Sequence, residues 1–207
     1  MPYHSYKEYP LQVNNRESSK LKPQEENDMH RQQLLNLLSE YNDQSHLKQR
    51  FIDFIEKYED CFSRENTYGH ITGSCWLLDR TGEKTLLTHH RKLNMWLQPG
   101  GHCDGDSDVT AVSLKEAIEE TGIERWDFVD GKIFDIDCHE IPARKDEPGH
   151  FHFDIRFAMI CGESEKYTVS EESHDLAWVP LQDLQSYTKE ESILRMARKW
   201  EVTQPVN

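Results

Sequence analysis

Apolar residues in the first third of the chain recur with the period of a helix. Leucines cluster within 34–38, a second apolar stripe runs through 47–58, and Asn42 lies between them as a turn former. Because side chains three and four residues apart share one helix face, each pattern predicts a helix with one buried side. Residues 1–27 lack this period and are rich in Pro, Gln, Asn and Glu, which is typical of a flexible tail.

Strand-like patterns follow the two predicted helices. The segments 71–78 and 85–89 are rich in apolar and β-branched residues, and an Asp-Arg-Thr-Gly turn signal separates them. Farther along the chain, 132–141 and 150–160 alternate between apolar and polar positions. Successive side chains of a strand point to opposite faces, so both segments are predicted to be strands.

The remaining pattern predicts two more helices and a last strand. A Pro-Gly-Gly break precedes a predicted helix at 108–121, with Gly122 as its left-handed C-terminal cap. A short strand is predicted at 175–179, and a capping-box spacing marks the start of a final helix at Thr188. Strands and helices are interleaved without a repeated βαβ unit. The fold class is therefore predicted to be α/β, a sandwich with a mixed sheet.

The predicted organisation has three parts. A flexible N-terminal tail spans 1–27, a helical segment spans 28–66, and the main domain spans 67–207. With 207 residues the chain is long enough to bury a hydrophobic core in a single domain with appendages. The N-terminal helices are expected to pack on the main domain.

Charge and cysteine usage narrow the function classes. The formal net charge of −14 disfavours nonspecific binding to nucleic acid or to an anionic membrane, because like charges repel. This negative charge still permits a small anionic substrate, because a bound divalent cation can make the local electrostatic potential positive. The five cysteines are odd in number and form no Cys-x-x-Cys pair, and no signal-peptide or membrane-spanning apolar run is present. A cytoplasmic location is therefore expected.

The helix predicted at 108–121 carries three carboxylates on one patch. Glu116, Glu119 and Glu120 stand at positions i, i+3 and i+4, and the last two lie in the final turn, where the helix dipole disfavours negative charge. Each like-charge pair costs about 0.2–0.5 kcal/mol. A divalent ion bound by these oxygens would replace this repulsion by attraction. Hard oxygen ligands favour Mg²⁺ or Mn²⁺ over Zn²⁺. A solvated acidic face with no ligand is the alternative explanation of the same pattern.

A spaced motif of this segment resembles the box of the Nudix hydrolase family, G-x5-E-x7-R-E-U-x-E-E-x-G-U, where U is aliphatic. The matching residues are Gly101, Glu116, Ala117, Glu119, Glu120, Gly122 and Ile123. Two positions depart: Ser107 stands where the first Glu is expected, and Lys115 where Arg is expected. Ser107 is expected to cap the helix instead of joining an ion pair. Over about 62–184 the chain looks like a bacterial subfamily with a G-H-x-D-G-D variant of the box.

The resemblance implies a Nudix α/β/α sandwich, preceded here by N-terminal helices, and a metal-dependent activity. Nudix enzymes hydrolyse a nucleoside diphosphate linked to another group X, giving a nucleoside monophosphate and X-phosphate. By this resemblance, Mg²⁺, or Mn²⁺ in its place, is held by Glu116, Glu119 and Glu120. The turn at Gly100 and Gly101 permits close backbone approach to the metal and substrate. The expected partner is a small nucleotide, and analogy with relatives adds a homodimer as an expectation.

The general base has more than one candidate. In related ADP-ribose hydrolases a Glu in the loop before the final strand takes the proton from water, and Glu172 is the preferred counterpart here. In other members of the family a Glu of the box, here Glu119 or Glu120, has that role. A plain solvated loop is an equally good interpretation of Glu171 and Glu172.

Histidines and their neighbours supply the candidate substrate contacts. His89 and Arg91 end a strand leading toward the box and could contact phosphate, whereas Trp96 is expected in the core more than on a nucleobase. His152 is a candidate for the substrate cleft, since the polar faces of 135–139 and 150–154 would form a wall when paired. A solvent-facing hairpin is the favoured alternative for that wall. A zinc site built from these histidines is a minor hypothesis.

Three hypotheses of function remain open on the sequence. The leading one is a Mg²⁺-dependent diphosphohydrolase for ADP-ribose or a nucleotide sugar. The second is a nucleoside triphosphate pyrophosphatase that removes damaged nucleotides. The third is a Nudix-like ligand-binding domain without turnover, which the departures at Ser107 and Lys115 support and the three intact glutamates oppose.

Overall fold

The computed structural model describes residues 22–42, 46–144 and 148–203. The α-helices are α1 (Pro23–Glu40), α2 (His46–Lys57), α3 (Val109–Thr121) and α4 (Glu191–Thr203), with a 3-10 helix at Leu181–Ser186. The strands are β1 (Gly69–Leu78), β2 (Lys84–His90), β3 (Met95–Leu97), β4 (Gly100–His102), β5 (Trp126–Ile141), β6 (His150–Cys161) and β7 (Ser173–Pro180). Every element type predicted from the sequence is confirmed, with shifts of a few residues at several ends.

The seven strands form one mixed sheet in the order β3-β2-β1-β6-β5, with β4 paired to β1 and β7 to β2. Strand β1 is buried along its whole length and runs parallel to β6, from Gly69 opposite Phe151 to Leu78 opposite Ile160. The other pairings are antiparallel. The predicted α/β class with a mixed sheet is confirmed.

Helices cover both faces of this sheet. Odd-numbered residues of β1, such as Ile71 and Cys75, pack in one hydrophobic cluster with residues of α1, α2 and α3. Even-numbered residues, such as Trp76 and Leu78, pack in a second cluster with α4. Because successive strand residues alternate between faces, the result is an α/β/α sandwich. None of the helices in the described part of the chain combines the length and apolar content that a bilayer crossing requires.

The N-terminal helix begins earlier than the sequence indicates. A flexible tail is predicted through residue 27, but α1 already starts at Pro23, so the prediction is wrong for 23–27. Proline suits the first helical turn, where its missing N–H needs no partner, and the Glu25 carboxylate accepts a hydrogen bond from the Lys22 N–H at 3.0 Å. The rest of that prediction, 1–21, lies outside the described residues.

Two further expectations need correction. The β5–β6 pair is not a solvent-facing hairpin, because Arg156 and Asp135 on its polar face are buried and Arg195 of α4 covers them. The last helix begins at Glu191 instead of Thr188. The Thr188 hydroxyl accepts a bond from the N–H only two residues on, at 3.2 Å, which makes a turn and not a helix cap.

Candidate active site

Helix α3 carries the three box carboxylates and has a defined cap at each end. Asp108 is the N-cap, because its carboxylate accepts the Ala111 N–H at 3.0 Å. At the other end Gly122 adopts the left-handed conformation with φ of 67°, as predicted. The expectation that Ser107 caps this helix is therefore wrong, since the next residue already does so.

Ser107 instead joins the box to the N-terminal helix. Its side chain is buried, and its hydroxyl donates to the Asn27 carboxamide oxygen at 3.1 Å and lies 3.3 Å from Nδ1 of His30. Both partners belong to α1. The loop before α3, where the family consensus has a glutamate, is thus supported by a neighbouring helix. The sequence carried no signal for this contact, because the partners lie about 80 residues away.

The glycine turn packs directly against the carboxylates. A Cβ on Gly101 would stand 2.6 Å from the Glu116 carboxyl carbon, and a Cβ on Gly100 would stand 2.2 Å from Oγ of Ser74. The Gly100 N–H donates to Oε1 of Glu120 at 2.7 Å. Only glycine permits this approach of backbone to side chain at these two positions.

The three carboxylates differ in exposure to solvent. Burial raises the pKa of Glu120 to about 8, although the Gly100 N–H opposes this shift. Burial also raises the pKa of Glu116, with Lys115 opposing. Glu119 is 57% exposed and pairs with Lys115 at 3.3 Å. Two of the three carboxyls therefore lie in a setting that disfavours their charged form.

This arrangement fits a hard divalent cation. Within the part of the chain that the structure describes, no cationic side chain forms an ion pair with Glu120, and Lys115 reaches Glu116 only at 3.9 Å. A group that binds these oxygens and supplies positive charge would offset the burial of both carboxyls. The donors are carboxylate oxygens without sulfur or nitrogen, a set that suits Mg²⁺ and Mn²⁺.

The structure brings the other candidates to the ends of β2 and β7. Negative charge on Glu172 contributes to the raised pKa of both Glu116 and Glu120, so its carboxylate lies within electrostatic reach of the box. The Glu172 carbonyl accepts the Arg91 N–H at 2.9 Å, and the Arg91 guanidinium donates to the Ser173 carbonyl at 2.8 Å.

His89 and Trp96 stack face to face near the same strand ends. Their ring centroids lie 4.9 Å apart with an interplanar angle of 14°, and the edge of Tyr187 meets Trp96 at 5.3 Å. Trp96 is half-buried and packs against the second hydrophobic cluster, so its expected place in the core is only partly observed. Its face is already occupied by His89.

A buried polar network lies on the sheet face opposite α3. Asp154 accepts the hydroxyls of Thr72 at 2.8 Å and Ser74 at 2.7 Å, and the Arg156 Nε–H at 2.6 Å. Arg156 also reaches Asp135 at 3.4 Å. The predicted pairing of the polar faces of 135–139 and 150–154 is thus confirmed. These polar side chains are buried, and their hydrogen bonds join β1 to β6.

His152 belongs to a cluster of histidines on this same face. Its Nε2 atom lies 3.3 Å from Nε2 of His102 and 3.4 Å from Nε2 of His150, and the ring of His70 is 4.8 Å away between centroids. Burial lowers the pKa of His70 to about 4 and that of His152 to about 2. Among the residues that the structure describes, the side-chain contacts of His152 are with other histidines and not with the box carboxylates.

Sequence reasoning missed two members of this cluster. His70 lies in the apolar strand β1 and is 1% exposed, and His102 directly follows the glycine turn. A histidine inside a buried apolar strand indicates a polar or metal-binding site nearby, since a buried imidazole needs a partner. The pairing of His70 with His152 across parallel strands depends on the strand order, which the sequence does not reveal.

Comparison with known proteins identifies the family of this chain. The family model described as NUDIX domain matches residues 70–200, which is more than half of the chain. No curated protein sequence matches the chain.

A solved structure with a TM-score above 0.5 shows the same fold. The chain is similar to the E. coli dihydroneopterin triphosphate pyrophosphohydrolase, with 12% identity, a TM-score of 0.52, and coverage of 67% of this chain and 100% of that one. It is also similar to a C. elegans Ap4A hydrolase in a binary complex, with 16% identity, a TM-score of 0.48, and coverage of 64% and 95%. The NUDIX domain of Shewanella oneidensis NrtR, complexed with ADP ribose, has 14% identity, a TM-score of 0.49, and coverage of 73% and 96%.

Proposed function

Because the chain belongs to the Nudix family of hydrolases, we propose that it is a Mg²⁺-dependent enzyme that cleaves the diphosphate linkage of a nucleoside diphosphate derivative. The substrate class is of the ADP-ribose or nucleotide-sugar type, and the products are a nucleoside monophosphate and X-phosphate. The observation that carries this proposal is a pair of carboxyls with raised pKa values, buried Glu120 and partly buried Glu116, beside a glycine turn.

Glu116, Glu119 and Glu120 are the residues that would hold the metal, with Mn²⁺ as a substitute for Mg²⁺. When bound, such an ion offsets charge on the diphosphate oxygens and acidifies water. The chain itself orients the ligands: the Gly100 N–H fixes one oxygen of Glu120, and Lys115 holds Glu119 from the exposed side. Exposure of Glu119 leaves room for substrate on that side of the helix.

Glu172 is the proposed general base. It is exposed and precedes β7, and its negative charge contributes to the raised pKa of both Glu116 and Glu120. A carboxylate in that position can accept a proton from the attacking water. Glu119 and Glu120 remain the alternative, although the hydrogen bond from Gly100 to Glu120 occupies one of its oxygens.

Phosphate contacts are proposed for Arg91 and His89 at the end of β2. The Arg91 side chain is exposed, and its guanidinium donates to the carbonyl of Ser173, the residue that follows the proposed base. Gly100 and Gly101 let the substrate approach the backbone. The predicted substrate contact His152 has other histidines as its nearest polar neighbours.

A substrate panel on the whole chain tests this function. Wild type, Glu120→Gln and the control Glu124→Gln are compared with ADP-ribose, nucleotide sugars and nucleoside triphosphates in Mg²⁺, and products are identified by ³¹P NMR. Glu124 is an exposed carboxylate four residues beyond Glu120 and outside α3. We expect monophosphate pairs from the diphosphate derivatives with wild type and Glu124→Gln, and little turnover with Glu120→Gln.

Each other outcome has a defined meaning. Pyrophosphate released only from triphosphates would replace the proposal by a nucleotide-sanitising pyrophosphatase. Tight binding of a diphosphate substrate without turnover would indicate a ligand-binding domain. Full activity of Glu120→Gln would remove that residue from the metal site.

A further inference from the structure

Four histidines meet where the first residues of β1 and β6 lie beside β4. His70 pairs with His152 across the parallel strands, His150 shares the strand face of His152, and His102 ends β4. One ligand nitrogen from each of His70, His150 and His152 lies within 4.8 Å of the other two. The cluster faces away from α3 and is separate from the box carboxylates.

The close nitrogen contacts have the spacing of metal ligands. A tetrahedral zinc ion with Zn–N bonds of about 2.05 Å sets its ligand nitrogens about 3.3 Å apart. The Nε2 atom of His152 lies 3.3 Å from that of His102 and 3.4 Å from that of His150. The ligand nitrogen of His70 lies within 4.8 Å of those of His150 and His152, which places the three nitrogens around one common point.

Hydrogen bonds among neutral rings explain these short nitrogen–nitrogen distances less well than a bound metal ion does. A single imidazole nitrogen carries either one hydrogen or one lone pair, so Nε2 of His152 cannot make two linear bonds at once. An ion between the rings uses one lone pair from each. His150 is already oriented for this role, because its Nδ1 donates to the Pro148 carbonyl at 3.0 Å, which leaves Nε2 as the ligand atom.

His70 supplies an independent observation. The side chain is 1% exposed, and neither ring nitrogen has a hydrogen-bond partner among the residues that the structure describes. A buried polar atom without a partner costs free energy that native structures rarely leave uncompensated. A metal ion at the centre of the cluster satisfies one of these two nitrogens.

We propose that His70, His150 and His152 bind a transition-metal ion of the zinc class, and that His102, whose Nε2 lies 3.3 Å from that of His152, borders the bound ion. An all-imidazole set selects such ions over Mg²⁺ and Ca²⁺, which prefer oxygen. The bound ion links β1 to β6, and β4 lies beside it through its pairing with β1. Since Gly101 of β4 packs on Glu116, this site stabilises the strand behind the proposed active site.

Metal titration of the whole protein tests the site. The protein is stripped with a chelator and titrated with Zn²⁺ and, separately, with Co²⁺, whose visible absorption distinguishes tetrahedral nitrogen ligation from octahedral oxygen ligation. The variants are His150→Gln and His152→Gln. The controls are His46→Gln, an exposed histidine on α2, and Glu120→Gln in the box.

We expect one zinc equivalent per chain in wild type and in both controls, a tetrahedral cobalt spectrum, and a rise in melting temperature with zinc. We expect this equivalent to be lost in both cluster variants. Absence of zinc binding by wild type, retention of it by the variants, or an octahedral spectrum would overturn the proposal. Should the variants fail to fold, the cobalt spectrum of wild type decides.

The zinc proposal and the proposed hydrolase function can fail separately. Loss of zinc binding in Glu120→Gln would place the ion at the box and contradict the histidine site. Loss of hydrolysis in that variant with zinc retained would support both proposals. A wild-type protein that binds zinc in the cluster but hydrolyses nothing would reject the proposed function alone.

Discussion

The backbone N–H of Gly100 donates to Oε1 of Glu120 at 2.7 Å, across the gap between the glycine turn and the last turn of α3. This bond fixes the position of the carboxyl and opposes the effect of burial, which still raises the pKa of Glu120 to about 8. Turn and helix thus form one unit, in which backbone geometry orients a proposed metal ligand.

The first prediction concerns the close approach at Gly101. We expect Gly101→Ala to lower kcat/KM by about 10²-fold, because the new Cβ would stand 2.6 Å from the Glu116 carboxyl carbon and displace it. Steady-state kinetics with Mg²⁺ measure this. Gly149→Ala is the control, since its nearest heavy atom would be 3.4 Å away, and we expect wild-type kinetics for it. Equal rates for both variants would contradict the packing argument.

The second prediction concerns the pH dependence of stability without metal. The pKa of Glu120 is raised to about 8 in the folded protein, so the folded state holds a proton that the unfolded state releases near pH 4.5. This carboxyl therefore stabilises the fold at low pH and loses that contribution as the pH rises toward 8, with a slope of up to about 1.4 kcal/mol per pH unit.

Urea unfolding in EDTA at several pH values measures this slope. Glu120→Gln removes the titrating group, so its stability should fall less than that of wild type between pH 5 and pH 8, whereas Glu124→Gln should follow wild type. Parallel pH profiles for wild type and Glu120→Gln would show that burial does not raise this pKa.

The third prediction concerns the support of the box by α1. We expect Ser107→Ala to lower the free energy of unfolding by about 1 kcal/mol, because Asn27 and His30 both lose their contact with its hydroxyl. Ser39→Ala is the control, since that exposed hydroxyl donates to the Asn36 carbonyl within its own helix, α1. Chemical denaturation compares the two variants. A larger loss for Ser39→Ala would contradict the assigned role.

The fourth prediction separates the proposed base from its neighbour. We expect Glu172→Gln to lower kcat by about 10²–10⁴-fold while Mg²⁺ affinity changes little, because a base acts on the proton and not on the metal. Glu171→Gln, one residue earlier and also exposed, is expected to keep its rate. Kinetics across Mg²⁺ concentrations distinguish the two effects. A normal kcat for Glu172→Gln would transfer the role to Glu119 or Glu120.

Local patterns predicted the elements and the box well. The helix at Val109–Thr121 and its left-handed cap at Gly122 follow from apolar spacing and a glycine, which are properties of a short window. The three carboxylates share a face for the same reason. The start of α1 was missed because polar residues dominate its first turns, so no apolar period marks them.

Long-range contacts account for what the sequence did not predict. The polar face of β6 looks like a solvent-exposed surface until α4 brings Arg195 over Asp135. His70 and His152 meet because β1 and β6 are neighbours, although 82 residues separate them (152 − 70). Such contacts depend on strand order and helix placement, which periodicity does not encode.

Binding of Mg²⁺ to the metal-free protein tests the central claim most directly. Isothermal titration compares wild type with Glu120→Gln and Glu124→Gln, after the histidine cluster has been saturated with Zn²⁺. We expect wild type and Glu124→Gln to bind Mg²⁺ alike, and Glu120→Gln to bind it at least about tenfold more weakly, because one carboxylate ligand is gone. Equal Mg²⁺ affinity in all three proteins would contradict the convergence of these carboxylates on a divalent ion.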